Sequence, residues 1–333
     1  MTDTKDVDDR VLHGLVLAGG DGRRLQPYVQ EIRGDGLPKQ YVNFIGRRSM
    51  LEHTFHRAEK MIPSKEILTV VSRQHLLHAE VSRQLASRPG ETLIVQPANK
   101  ETGPGILLPL MFIYKRCPEA IVAVLPSDHF VLEEDRFMNH VKLAVQAAKH
   151  DPSCIVLLAT EPDEPETEYG YVVPHQGAGR LCRFGTRRVS AFIEKPSTEL
   201  ALKLMMAGGL WNTMTMVFKA DTLLELVRSI HPAIYLDFCR ILEAVGTTEE
   251  QPTIDEVYET LEPANFSKEI MERIAVDYPK SISVLPVREV FWSDLGSRER
   301  VLRVLRRLSQ HQVEEIQPVP ESIKPWRVED REL

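Results

Sequence analysis

A glycine-rich turn followed by two arginines carries the clearest chemical signal in this sequence. Residues 15–18 are apolar, and Gly19, Gly20 and Gly22 come next, with Arg23 and Arg24 directly behind them. Glycine lets backbone N–H groups approach a ligand closely, because it has no Cβ atom and tolerates positive φ angles. Amide and guanidinium groups together bind anions, and phosphate suits them well. The turn therefore predicts a phosphate-binding loop, with a structural turn carrying surface arginines as the alternative.

The loop matches neither of two common phosphate-binding patterns. The P-loop requires G-x-x-x-x-G-K-[ST], and no lysine followed by Ser or Thr stands in this loop. The dinucleotide fingerprint requires a third small residue where Leu25 stands. The sequence therefore disfavours a P-loop NTPase and a dinucleotide-dependent oxidoreductase.

Two aspartates far apart in the sequence could supply metal chemistry. Asp128 lies in L-P-S-D-H after a predicted buried strand, and Asp294 lies in W-S-D-L-G at a similar strand end. Mg²⁺ takes one or two protein carboxylates and completes its coordination with water and phosphate oxygens. Two converging aspartates would therefore suffice to orient a triphosphate. Taken singly, each aspartate could instead cap a helix or form a turn.

Alternating strands and helices are predicted to position these residues. Short apolar runs predict strands at residues 15–18, 67–71, 92–95, 120–125 and 154–159. Helical spacing between them indicates a parallel sheet, which binds ligands beyond the carboxyl ends of its strands. Later strands without intervening helices predict an antiparallel portion. Residues 26–37 are predicted to form a long, mobile polar connection.

The ordered motifs resemble those of the sugar-1-phosphate nucleotidyltransferases. The loop reads G-G-x-G-x-R-L-x-P, and Pro38, Lys39 and Gln40 form a P-K-Q segment similar to that of the mannose-1-phosphate guanylyltransferase branch. The resemblance implies an α/β fold: a Rossmann-like domain with a mixed, mainly parallel central sheet and helices on both faces. This domain is expected at residues 11–296. Residues 1–10 would be a disordered leader, and residues 297–333 a helix with a charged, proline-containing tail.

The resemblance also assigns roles to individual residues. Asp128 and Asp294 would bind Mg²⁺, Lys39 would contact the nucleotide phosphates, and Arg24 the leaving pyrophosphate. Lys195 is the remaining expected catalytic residue and would hold the sugar 1-phosphate. The expected nucleotide-binding residues are Leu17, Ala18, Gly19, Gly20, Gly22, Arg23, Gln96, Asn99 and Ser127. Among these, Gln96 and Asn99 lie in a segment similar to the guanine-reading loop of the family.

The acceptor site is expected where E-Y-G-Y, E-K-P and L-W-N resemble family segments. The expected sugar-phosphate-binding residues are Tyr169, Gly170, Glu194, Lys195, Asn212 and Met214. Without the resemblance, these segments could be surface turns and an exposed ion pair. Met214 departs from the family, which has glycine there, so its side chain would either narrow the sugar pocket or pack in the core. The connection at residues 28–37 is also longer than is usual in this branch.

Composition limits the classes of protein that remain. The 333 residues carry a net charge of −7, which disfavours nucleic-acid binding, and no apolar run is long enough to span a membrane. The first ten residues are acidic and polar, so no secretory signal is expected. The four cysteines are widely separated, which predicts free thiols in a reducing cytoplasm rather than a zinc cluster.

The sequence therefore predicts an enzyme that joins a sugar 1-phosphate to a nucleoside triphosphate and releases pyrophosphate. Mannose 1-phosphate and GTP are the expected pair, with Mg²⁺ as cofactor. Two alternatives stay open at this point: the same reaction with another sugar or nucleotide, and a catalytically weak homologue that binds nucleotide sugars as a regulator. No nucleic-acid or membrane partner is expected, and a homodimer is left open.

Overall fold

A computed structural model describes residues 12–175 and 183–314 of the chain. The predicted leader at residues 1–10 and the tail beyond residue 314 lie outside the described residues. Strands and helices alternate in the first half, in the order β1 (Leu12–Ala18), α1 (Gln26–Arg33), α2 (Met50–Glu59), β2 (Ile67–Ser72), α3 (Ala79–Leu85), β3 (Leu93–Gln96), α4 (Thr102–Arg116), β4 (Ile121–Pro126), β5 (Phe130–Val131), α5 (Glu134–His150) and β6 (Ile155–Thr160).

The second half places more strands next to one another and ends in a helix. Its elements are β7 (Gly170–Pro174), β8 (Arg187–Glu194), α6 (Thr198–Met206), β9 (Leu210–Lys219), α7 (Ala220–Ile230), α8 (Pro232–Ala244), α9 (Glu250–Thr260), α10 (Glu272–Asp277), β10 (Ile282–Val287), β11 (Trp292–Ser293) and α11 (Arg298–Glu314). A π-helical turn at Phe266–Met271 leads directly into α10.

A nine-stranded mixed sheet forms the centre of the molecule, in the order β3-β2-β1-β4-β9-β6-β10-β8-β7. Strands β1 to β4 pair in parallel, whereas β9 runs antiparallel to both β4 and β6, and β8 runs antiparallel to β10 and β7. The expected mixed α/β fold is confirmed. The carboxyl ends of β1, β3 and β4 therefore meet at one edge, where the glycine loop, Gln96 and Asp128 follow them.

Helices cover both faces of the sheet with separate hydrophobic cores. One core holds buried side chains of α2, α5 and α11, including Val301 and Val304 of α11. The other holds those of α4 and α7 to α10. Helix α11 thus packs into the same core as α2, and the domain boundary expected at residue 297 stays a prediction.

The expected mobile connection at residues 26–37 is wrong, because most of it forms helix α1. Pro27 stands in its first turn, Val29 is buried, and Gly34 adopts a left-handed conformation with φ 79° at its end. Proline at the start and glycine at the end are ordinary helix signals. Helix α6 begins with another ordinary signal, since the Ser197 side chain caps it by accepting a hydrogen bond from the Leu200 N–H.

A short two-stranded ribbon was not predicted, although it organises the site. Strand β11 pairs antiparallel with β5, with Trp292 opposite Val131 and Ser293 opposite Phe130. Two-residue strands leave no periodic signal in a sequence. Because Asp128 lies just before β5 and Asp294 just after β11, the ribbon brings the two aspartate segments side by side.

No helix within residues 12–175 and 183–314 is long and apolar enough to cross a membrane.

Replacing Ser49 by alanine is expected to lower the free energy of unfolding by about 1–2 kcal/mol. Ser49 caps α2 by accepting from the Glu52 N–H, Glu52 accepts in return from the Ser49 N–H, and the buried Ser49 hydroxyl also donates to Gln84. Denaturant titration measures the loss. Ser197→Ala, at an exposed cap, serves as control and should cost less, so equal losses would contradict the assignment.

Candidate active site

The glycine loop after β1 packs so closely against the protein that larger residues would collide. Gly22 is left-handed, with φ 64°, and a Cβ atom there would lie 3.0 Å from Lys39 Cγ. A Cβ atom at Gly19 would lie 2.5 Å from Gln96 Nε2. Gly19 and Gly22 therefore lie tightly against two other predicted site residues, Gln96 and Lys39, whereas a Cβ atom at Gly20 would have no neighbour within 4 Å.

Side chains hold the carbonyl groups of this loop. Gln40 Nε2 donates to the carbonyl oxygens of Ala18 and Gly20, at 2.8 Å each, and the Tyr41 hydroxyl donates to that of Ala18 at 3.2 Å. Gln96 Nε2 donates to the carbonyl oxygen between them, that of Gly19, at 3.2 Å. Carbonyl oxygens repel phosphate, so occupying them with protein donors favours an anion at the loop. Sequence analysis missed Tyr41, which carries no motif of its own.

The two arginines of the loop point to different partners. Arg23 is exposed and pairs with its neighbour Asp21, at 3.0 Å. Arg24 forms an ion pair with Glu168, and its Nη2 lies 3.7 Å from Asp294 Oδ2. Of the two, Arg24 therefore reaches the predicted metal carboxylate, as its expected role next to the phosphates requires.

A buried ammonium group joins the two predicted metal ligands. Lys39 Nζ lies 3.0 Å from Asp128 Oδ2 and donates to the backbone carbonyl of Asp294 at 2.9 Å. The lysine is only 8% exposed. The structure thus brings Lys39, Asp128 and Asp294 together, although 255 positions separate Lys39 from Asp294.

Asp294 is surrounded by hydrogen-bond donors. Its Oδ1 accepts from the Tyr169 hydroxyl, the Gly296 N–H and Arg300 Nη1, each at 2.9 Å. Burial would raise the pKa of the Asp294 carboxyl, but the charges of Lys39 and Arg300 outweigh burial and hold that pKa at about 2. Asp294 is therefore ionised at neutral pH.

His129 lies behind Asp128 in a defined tautomer. Trp292 Nε1 is 3.3 Å from His129 Nδ1, and the indole N–H can only donate, so Nδ1 is the acceptor. Burial lowers the pKa of His129 to about 4, so its imidazole is neutral and its proton is on Nε2. That nitrogen lies 3.6 Å from Asp128 Oδ1. Trp292 of the ribbon thereby orients a donor toward Asp128.

Helix α2 holds the L-P-S-D-H segment by hydrogen bonds to two of its backbone carbonyl groups. The Thr54 hydroxyl donates to the Pro126 carbonyl, and the fully buried Arg57 donates to the His129 carbonyl at 3.2 Å. Ser127, expected to bind nucleotide, donates its hydroxyl to the Leu17 carbonyl at 2.5 Å. Asp128 is therefore held from both sides by contacts that leave its carboxylate facing Lys39.

The two residues of the predicted base-reading loop have different environments. Gln96 is buried, and its Oε1 has no hydrogen-bond partner among the described residues. Asn99 is exposed, and its Oδ1 accepts from the Glu101 N–H at 3.0 Å. A buried acceptor without a partner is costly, which makes Gln96 a candidate to accept from a ligand.

The expected sugar residues lie at the start of β7, the end of β8 and the start of β9. Gly170 pairs with Glu194, and a Cβ atom at Gly170 would lie 2.6 Å from Glu194 Oε2. Burial raises the pKa of the Glu194 carboxyl, while Lys195 lowers it and Glu272 raises it further. Lys195 itself is exposed. The glycine therefore leaves room for a carboxylate that the E-K-P segment supplies.

Met214 occupies a position that favours glycine. Its φ is 54° in the middle of β9, where the register against β6 shifts. The buried Asn212 accepts from the Met214 N–H at 3.1 Å, and Met214 Sδ lies 3.1 Å from the Ser267 hydroxyl. The side chain also packs against the core of α4 and α7 to α10. The strand is thus locally irregular, and Met214 lies between the core and Ser267, whose side chain hydrogen-bonds Glu194.

Arg300 was missed as a site residue, because α11 was predicted to lie outside the domain. Its guanidinium group contacts both Asp294 and Glu166, at 2.9 and 2.6 Å. The signal that could have found it is weak: an arginine in the first turn of a helix that begins just after the D-L-G segment.

The donor set of Asp128 and Asp294 fits a hard divalent cation. Both are carboxylates, and Lys39 and His129 lie close to both. Within residues 12–175 and 183–314, no group of three or more His, Cys, Asp or Glu side chains could hold a metal by itself. The two aspartates therefore fit Mg²⁺ as the protein share of a site completed by phosphate and water oxygens.

Comparison with curated proteins gives relatives of greater length. The chain is 29% identical over 293 residues to the xanthan biosynthesis protein XanB of Xanthomonas campestris pv. campestris (strain B100). It is also 29% identical over 291 residues to the mannose-1-phosphate guanylyltransferase of Escherichia coli (strain K12). The alignments cover 87% and 86% of this chain and 58% of each relative. The chain thus spans less than two thirds of the length of these relatives.

Solved structures share the fold. A Thermus thermophilus protein described as a mannose-1-phosphate geranyltransferase is 29% identical, with a TM-score of 0.71 over 86% of this chain and 76% of that one. A UDP-glucose pyrophosphorylase complexed with UDP-glucose is 15% identical, with a TM-score of 0.57 over 90% and 99% of the two chains, and supports the fold alone. The sequence model of nucleotidyl transferases matches residues 13–311, from β1 into α11. The chain belongs to the nucleotidyl transferase family.

Proposed function

We propose that this chain transfers a nucleotidyl group from a nucleoside triphosphate to a sugar 1-phosphate, with GTP and mannose 1-phosphate as the pair. The observation that carries the proposal is the buried Lys39 between Asp128 and Asp294, beside a glycine loop and Arg24. The relatives named for mannose-1-phosphate guanylyltransferase and xanthan biosynthesis support the choice of substrates.

The reaction is a single in-line displacement. An oxygen of the sugar 1-phosphate attacks the α-phosphorus, the bond to the bridging oxygen breaks, and pyrophosphate leaves with the electron pair. Arg24 lies where it can move from Glu168 onto the phosphates, and Lys39 offsets negative charge that grows as the bond breaks. Mg²⁺ on Asp128 and Asp294 would orient and neutralise the triphosphate.

The acceptor would bind at the ends of β7 to β9. The exposed Lys195 offers a cation for the 1-phosphate, and Glu194 offers an acceptor for sugar hydroxyl groups. Lys195 is left-handed, with φ 48°, and its N–H donates to the Tyr169 carbonyl at 3.2 Å. That bond ties the E-K-P segment to E-Y-G-Y. A cytoplasmic location and a homodimer stay predictions from the sequence and the resemblance.

Pyrophosphate release across GTP, ATP, UTP and dTTP with a panel of sugar 1-phosphates tests the proposal. We expect the highest kcat/KM for GTP with mannose 1-phosphate. The buried Gln96 Oε1 can accept from a base N–H, and the choice of guanine rests on the resemblance of its segment to the guanine-reading loop of the family; each mismatched polar group would cost about 1–3 kcal/mol. Equal efficiency with UTP or dTTP would contradict the base assignment. Absence of release with every pair would contradict the enzymatic proposal.

Asp128→Asn is expected to lower kcat about 100-fold or more, because it removes a negative oxygen from the metal site while keeping the shape. Turnover is measured across a Mg²⁺ titration, with the melting temperature as a check on folding. Asp135→Asn is the matched control, since Asp135 is exposed and pairs only with Lys60 among the described contacts. A near-normal, Mg²⁺-dependent rate in Asp128→Asn would rule out this role.

Met214→Gly is expected to change the ranking of sugar 1-phosphates and to raise kcat/KM with mannose 1-phosphate. Glycine removes the side chain beside Ser267 and relieves a left-handed backbone that costs about 1–3 kcal/mol for other residues. Met214→Ala separates the two effects, because it shortens the side chain without relieving the backbone.

The same two variants distinguish a packing residue from a pocket residue. Unchanged ranking and rates in both variants would mean that Met214 only packs. If the wild type is inactive and Met214→Gly gains turnover, the regulatory alternative, a nucleotide-sugar-binding homologue, is supported instead. Nucleotide-sugar affinity measured by calorimetry then becomes the relevant property.

A further inference from the structure

Arg300 is fixed against Asp294 on several sides. Its Nη1 lies 2.9 and 3.0 Å from the two carboxylate oxygens of Asp294, and its Nη2 lies 2.6 Å from Glu166 Oε2. The guanidinium group also stacks over the Tyr169 ring, 4.3 Å from the centroid. Arg300 is 9% exposed. A planar, buried and multiply bonded guanidinium group has little freedom to move away.

The D-L-G segment is shaped around this contact. A Cβ atom at Gly296 would lie 2.5 Å from Asp294 Oδ2 and 2.7 Å from Arg300 Nη1. Any larger residue would therefore separate the carboxylate from the arginine. The Gly296 N–H also donates to Asp294 Oδ1. Glycine at position 296 thus allows Arg300 to contact Asp294.

Arg24 differs from Arg300 although both lie near Asp294. Its side chain is 51% exposed, it lies 3.7 Å from Asp294 Oδ2, and its closer partner is the half-exposed Glu168. Arg24 can therefore leave Asp294 when an anion arrives, whereas Arg300 stays. A cation that approaches without nucleotide meets a carboxylate whose charge Arg300 already offsets.

We propose that Arg300 makes divalent-cation binding at Asp294 depend on the nucleotide, an inference that rests on the proposed function. Arg300 acts through Asp294 as a positioning residue: it contacts both carboxylate oxygens and lowers the attraction of the site for a free cation. The triphosphate restores that attraction, because it adds negative charge and draws Arg24 away from Oδ2. Metal and nucleotide consequently bind together, and the free protein holds the metal weakly.

Binding of Mn²⁺ to the full chain without nucleotide tests this, with free Mn²⁺ measured by electron paramagnetic resonance. Arg300→Met removes the charge and keeps an unbranched side chain against Tyr169. We expect it to bind Mn²⁺ at least about 10-fold more tightly than the wild type, because a unit charge a few ångströms away is worth that much or more in a partly buried site. Arg300→Lys should stay close to the wild type.

Control variants locate the effect. Asp294→Asn added to Arg300→Met should remove the gain. Arg303→Met, one turn along α11, breaks ion pairs with Asp163 and Glu164 that do not involve Asp294, so its Mn²⁺ affinity should match the wild type. In Arg300→Met, Glu166 loses its ion-pair partner. Adding Glu166→Gln removes this unpaired charge, so the double variant tests the proposal even if the single variant unfolds.

Unchanged or weaker Mn²⁺ binding in folded Arg300→Met, alone or with Glu166→Gln, would overturn the proposal. A loss of affinity would mean that Arg300 only orders Asp294. Failure of the proposed function is recognised separately, since it is read from pyrophosphate release by the wild type and not from Mn²⁺ binding in the absence of nucleotide.

Discussion

The site depends on the burial of one positive charge. Lys39 Nζ is almost completely removed from water, and an unpaired ammonium group there would cost several kcal/mol. Contacts with Asp128 Oδ2 and the Asp294 carbonyl offset this cost. The chain can therefore bury Lys39 only if three distant segments converge. Gly22 adds to this, because only a glycine fits against the Lys39 stem. The glycine loop is thereby coupled to the two carboxylates proposed to hold the metal.

A second set of charges links the proposed nucleotide end of the site to the proposed acceptor end. The segment at residues 166–169 contacts three groups around the proposed metal site: Glu166 pairs with Arg300, Glu168 pairs with Arg24, and Tyr169 donates to Asp294. Gly170, which makes room for Glu194, is the next residue. A shift of this segment on binding the sugar would therefore be transmitted to both arginines.

Much of the local structure can be predicted from the order of the amino acids alone. The apolar runs and their spacing are sufficient to predict the parallel strands, because buried strands and amphipathic helices have different periodicities. Glycine, proline and capping residues mark the ends of helices, as Ser197 marks the start of α6. The sequence also predicts the chemical type of the site, since glycines with arginines and strand-end aspartates suit phosphate and Mg²⁺, and this assignment stays a prediction. The sequence does not predict helix α1, because its polar residues and the glycines that follow it are also typical of a loop.

Which of these residues come into contact depends on how distant elements pack. The ribbon of β5 and β11 places Asp128 next to Asp294, yet each strand has two residues and no periodic pattern. Arg300 reaches Asp294 because α11 packs into the core of α2 and α5, a contact that its composition does not reveal. The left-handed backbone of Met214 depends on a register shift between β9 and β6. Periodicity reports which face of an element is buried, whereas long-range contacts arise from how the elements pack.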